Sequence, residues 1–275
     1  MLFLYKDLKL CLTILSCIGG CLGVFALNNN IHILLVILCT MIYCLLISLI
    51  CSNIALKRIN KLTNDMVEKC EIEKSEKEFK RMVEISEKIY AKNATRATKK
   101  QEEFLKHNLA VAYIHGGKFE EALRILKCID QDFKENINEI VQQFLYYNNL
   151  LITYLELGKI EEASKLLENM KKTLETAPIK EKDKESFEYY YENKKMLLEL
   201  STKITEENLK KAETFYLNDL EKSNKKIEKV FSHYMLAEIY QQLGNEEKKE
   251  KSIYYVLENG GDTYYVQEVK KLKDS

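Results

Sequence analysis

Proline is almost missing from this chain: 275 residues include one, Pro178, with only nine glycines and no tryptophan. Proline breaks helices and glycine weakens them, so their scarcity removes the breakers a turn-rich fold requires and points to an all-α protein. Net charge is missing as well, because 42 Lys and Arg balance 42 Asp and Glu. Without a basic excess, nothing electrostatic selects nucleic acid as a partner. Motifs that carry chemistry are absent too. No G-x-x-x-x-G-K-[ST] or G-x-G-x-x-G occurs, and His32, His107, His115 and His233 never take the H-E-x-x-H spacing of a zinc site. Cys70 and Cys128 lack both a C-x-x-C and a histidine at ligand spacing. No cofactor or metal is implied, and the chain is expected not to be an enzyme.

Charge is nearly absent from the first 51 residues, where only Lys6, Asp7 and Lys9 carry it. Leu10–Leu27 (LCLTILSCIGGCLGVFAL) and Ile31–Cys51 (IHILLVILCTMIYCLLISLIC) have no charged residue and run for 18 and 21 residues. Those lengths fit the roughly 20 residues of a membrane-spanning helix, and Asn28-Asn29-Asn30 between them is turn-forming. The reading is a transmembrane hairpin over residues 1–53. Lys6 and Lys9 before it, and Lys57, Arg58 and Lys61 after it, place both ends and everything downstream in the cytoplasm of a bacterium, at its inner membrane. Gly19 and Gly23 form a G-x-x-x-G at which two such helices can meet.

Residues 54–97 are charged and helical in pattern. Ile59, Leu62, Met66 and Cys70 recur at three- and four-residue steps, as do Phe79, Met82, Ile85 and Ile89. These stripes read as a juxtamembrane linker whose later part caps the downstream domain, or as a contact between two copies of the chain.

From residue 98 onward the chain repeats itself. HNLAVAYIHGGKFEEALRIL (His107–Leu126) matches NNLLITYLELGKIEEASKLL (Asn148–Leu167), with Asn-Leu, Tyr113 or Tyr154, Gly117 or Gly158, and Ala122 or Ala163 in register 41 residues apart. A third copy, YMLAEIYQQLGNEEKKEKSI (Tyr234–Ile253), keeps Leu236, Ala237, Tyr240 and Gly244 but has Lys249 in place of the alanine. A helix ends at a glycine that accepts the left-handed cap, the next folds back, and a small residue sits where they cross. Gly158 and Gly244 are 86 residues apart, room for one more pair: Phe187, Tyr190, Lys194, Leu197 and Ser201 trace one helical face. After Thr205, an N-cap, Leu209, Ala212, Tyr216 and Leu220 trace another.

The Asn-Leu-x-x-x-Tyr-x-x-x-Gly-x-aromatic-x-x-Ala order resembles the tetratricopeptide repeat. The usual early tryptophan is replaced by Lys106, Tyr147 and His233, and only Pro178 follows a repeat as a closing proline. The resemblance implies an α-solenoid of about four helical hairpins over residues 98–262, then a tail, 263–275. It also implies a concave groove lined by each first helix, here by His107, Asn108, Val111, His115, Asn148, Asn149, Ile152 and Glu156. The lysine-rich carboxylate clamp of some members is not matched, because His107 and Val111 take two of its places. The expected function is a membrane-anchored adaptor that holds a partner protein or peptide. A peptide-sensing receptor and a self-assembling structural protein are the alternatives.

Overall fold

The computed structural model describes residues 13–17, 19–21, 23–24, 33–92, 96–129 and 140–274. Every regular element among them is a helix. Residues 13–17, 19–21 and 23–24 are helical, and the long helix α1 (Ile33–Lys69) is followed by α2 (Ile72–Lys92), α3 (Arg96–His115), α4 (Phe119–Lys127), α5 (Ile140–Glu156) and α6 (Ile160–Thr176). Then come α7 (Glu181–Thr202), α8 (Glu206–Lys222), α9 (Lys226–Gln242), α10 (Glu246–Asn259) and α11 (Tyr264–Asp274).

Local chemistry explains the hairpins. Gly117, Gly158 and Gly244 adopt φ of +72°, +66° and +67°, a region that costs an L-residue strain and glycine almost nothing. The amide that follows each glycine then returns to the last turn: Lys118 N–H donates to the Tyr113 carbonyl, Lys159 to Tyr154 and Asn245 to Tyr240. Glu120-Glu121 and Glu161-Glu162 occupy the first turns of α4 and α6, where negative charge offsets the helix dipole. The Thr205 hydroxyl accepts the Asn208 amide at 3.2 Å to cap α8. Ala122, Ala163 and Ala212 are fully buried at the crossings, and Lys249 is buried in the corresponding place, its ammonium reaching Glu246 at 2.7 Å.

Each helix from α2 to α11 packs on the next, and α3 on α5, α5 on α7 and α9 on α11 form an inner layer. The second half of α1 lies against α2 and α9. Its Ala55, Ile59 and Leu62 join Phe79, Leu105 and Leu109, while Met66 and Cys70 join Tyr234, Val256 and Tyr265. The Ile59–Cys70 stripe is thus buried within the chain.

The structure does not support the transmembrane hairpin or the inner-membrane placement. Among the described residues no helix is long and apolar enough to cross a membrane. The second apolar stretch is the opening half of a 37-residue helix that continues unbroken through Lys57, Arg58, Lys61, Asp65, Glu68 and Lys69. The Asn28–Asn30 turn, His32, the flanking Lys6 and Lys9 and eight of the 18 residues of Leu10–Leu27 lie outside the described residues. Of the glycine motif, Gly19 lies against the Tyr43 ring, and the Tyr43 hydroxyl donates to the Leu15 carbonyl at 3.1 Å.

The stack closes on itself. The Asp262 carboxylate accepts the Ile72 and Glu73 amides at 2.5 and 3.0 Å, capping α2 from 190 residues away. Its own amide donates to the Cys70 carbonyl at 3.3 Å. Gly261, at φ +57°, permits this approach, since a β-carbon there would stand 2.5 Å from that carbonyl. The segment read as a tail is α11, with Tyr265 and Val269 buried. Tyr264 lies edge-on to Phe119 at 5.2 Å, so the last helix reaches the first repeat.

Candidate functional site

The eight groove residues separate into three groups. His107 and Asn149 face each other across α3 and α5: the Asn149 amide lies 3.0 Å from His107 Nε2. Burial pushes the His107 pKa down to about 4, with a hydrogen bond to the Leu145 backbone opposing the shift. A neutral imidazole has one donor and one acceptor nitrogen for these two partners. Asn108 turns back on its own helix and donates to the Phe104 carbonyl at 2.8 Å. It lines neither inner-face recess.

Val111, His115, Asn148, Asn149 and Ile152 line a recess of about 430 Å³ on the inner face. It opens where α7 and α9, unlike the other successive inner helices, do not pack along each other. Thr63, Asn64, Val67 and Glu68 of α1 and Tyr265 of α11 wall its far side. His115 Nδ1 lies 3.3 Å from the Tyr265 hydroxyl, and burial pushes the His115 pKa down to about 4. Ile152 also borders a second recess of about 410 Å³, with Glu156, Leu197, Leu200, Tyr234 and Glu238. Glu156 is exposed at its mouth. Crowding by protein atoms and the charges of Glu238 and Glu268 push its pKa up to about 7, with the Tyr264 hydroxyl opposing. Ile152 and Phe231 border both recesses, making one continuous surface.

The recess of about 430 Å³ holds groups that the sequence reading did not place there. The Tyr189 and Ser232 hydroxyls donate to the two Asp219 oxygens. Lys194 is 4% exposed and donates to the Asn193 Oδ1 at 2.6 Å. Burial lowers its pKa to about 7. A signal was present: Lys194 interrupts the apolar face that Phe187 and Leu197 define, and a lysine at a core position needs a reason. Asn148 is 8% exposed, and its Oδ1 has no hydrogen-bond partner. Among the described residues no group of histidine, cysteine or acidic side chains could hold a metal ion.

No family model matches the chain, and it matches no curated protein and no solved structure.

Proposed function

We propose that the chain is a non-catalytic, tetratricopeptide-like α-solenoid of four hairpins, closed on itself, that binds a short extended peptide along its inner face. Glycine-turned hairpins, buried alanines at their crossings and neighbour-to-neighbour packing support the repeat reading. The observation that carries the binding reading is the pair of adjoining recesses of about 430 and 410 Å³. Pockets of roughly 300–1,000 Å³ with aromatic walls and a few fixed polar groups suit small ligands. Six of the eight groove residues line these two recesses, and asparagine side chains offer both a donor and an acceptor to a peptide backbone.

The adaptor reading comes second. A whole helix or domain needs an open concave face, and here it would have to displace α11, whose Tyr265 and Val269 are buried. A short peptide needs no such displacement. Self-assembly through the Ile59–Cys70 stripe has lost its surface, since those side chains are already covered.

The test is thermal unfolding of the full chain with a pool of short peptides, then with an Ile152→Arg variant that projects charge into both recesses. Stabilisation of the unmodified chain and its loss in the variant are expected. Equal stabilisation of both forms would place the peptide elsewhere and overturn the reading.

A further inference from the structure

We propose that Lys194 anchors an acidic side chain of the bound peptide, so that the inner face selects a segment carrying aspartate or glutamate. The inference rests on the peptide reading above and names the ligand's chemistry.

Lys194 lines the recess of about 430 Å³ yet makes no ion pair among the described residues; its one hydrogen-bond partner is the uncharged Asn193 amide oxygen. Lysines elsewhere are treated differently: Lys106 meets Glu102 and Glu87, Lys118 meets Glu76, and Lys248 meets Glu213. A buried ammonium without a carboxylate is costly, and the acid nearest in charge effect, Asp219, is already engaged by Tyr189 and Ser232. The ammonium therefore has donors to spare at a place where a ligand can reach them.

The ligand group is a single carboxylate. Lys225, the other lysine lining the recess, is held by Glu228 at 2.7 Å, and no arginine lines it. Glu68, Asp219 and Glu228 border the same space and oppose a more highly charged phosphate. A side chain fits better than a chain end, because the two recesses run into each other at Ile152 and Phe231 and a peptide lying along both passes through. The unpartnered Asn148 Oδ1 then accepts a backbone N–H of that peptide.

The experiment uses the full chain and two pools of pentapeptides, acetylated and amidated to remove terminal charge, with mixed flanks and either Glu or Gln at the centre. A third arm is sodium propionate alone. The Glu pool is expected to bind at least about tenfold more tightly than the Gln pool, the scale of a hydrogen bond to a charged group. Lys194→Met is expected to abolish that preference. Equal binding of the two pools overturns the anchor and leaves the peptide reading standing. Binding of neither pool overturns both. Propionate stabilising the unmodified chain but not Lys194→Met, with no preference between the Glu and Gln pools, shows a free acid in place of a peptide side chain, which overturns the acidic-peptide proposal. Should Lys194→Met lose its helical signal, the Glu-against-Gln comparison on the unmodified chain decides the matter.

Discussion

Asp262→Ala tests how much the closed stack owes to one carboxylate. Asp262 accepts two amides of the first turn of α2, at 2.5 and 3.0 Å, from a loop near the other end of the chain. Removal of a helix N-cap costs about 0.5–2 kcal/mol. Loss of negative charge at a helix N-terminus costs about another 0.3–1 kcal/mol. Asp262 is exposed, so water replaces part of what is lost, and a value of about 2 kcal/mol is expected for the sum. For a chain of this size that lowers the unfolding midpoint by about 4–8 °C. Asp262→Asn keeps an acceptor and loses the charge, so it should fall between the two. Calorimetry gives the midpoints, and hydrogen exchange gives the location: amides of 264–274 should exchange faster in Asp262→Ala, while those of α6 are unaffected. A midpoint within about 1 °C of the unmodified chain, with protection of 264–274 intact, refutes the reasoning.

Gly261→Ala forces a β-carbon to within 2.5 Å of the Cys70 carbonyl at φ +57°; it should destabilise at least as much as Asp262→Ala, read by chemical denaturation. Ala163→Leu overfills a fully buried crossing and should cost about 1–3 kcal/mol in the same assay. Lys194→Met replaces a buried ammonium with a side chain of similar shape and should raise stability near pH 7. The Lys194 pKa is lowered from 10.5 to about 7, so the unfolded chain binds more protons between those values and stability rises with pH across them. The penalty is complete below pH 7 and fades towards pH 10.5, and the advantage of Lys194→Met should shrink over that window. His107 and His115 are lowered from 6.5 to about 4, so each contributes stability that is lost as pH falls from 6.5 through 4. Replacing His115 with Gln should reduce the proton uptake on unfolding near pH 5 by about one, measured from the slope of stability against pH.

The parts of the fold legible in the sequence are those that local sterics decide. Gly117, Gly158 and Gly244 end their helices in the left-handed region because glycine alone does so without strain. Ala122, Ala163 and Ala212 are fully buried where two helices cross, a place that favours a small side chain. Thr205 caps through a bond that spans three residues. What could not be read depends on partners far apart in the chain. Nothing near Asp262 signals Ile72, and the pairing of Tyr265 with His115 joins residues 150 apart. Of the candidate site, Ile152, His115 and Asn148 came from position in the repeat. Asn108 failed that rule because an asparagine within a helix can satisfy itself on the carbonyl four residues back. The apolar run Ile31–Cys51 reads as a span from composition; the helix that holds most of it runs on through Lys69, and among the described residues no helix is long and apolar enough to cross a membrane.

Disulfide trapping tests the closure most directly. A β-carbon at position 117 would stand 3.1 Å from that of Tyr264, close to the roughly 3.5–4.5 Å of a disulfide. The Gly117→Cys, Tyr264→Cys pair, oxidised as a dilute monomer and mapped by peptide mass, should give the 117–264 bridge in high yield. A folded, fully helical chain that never forms this bridge would contradict the closed stack.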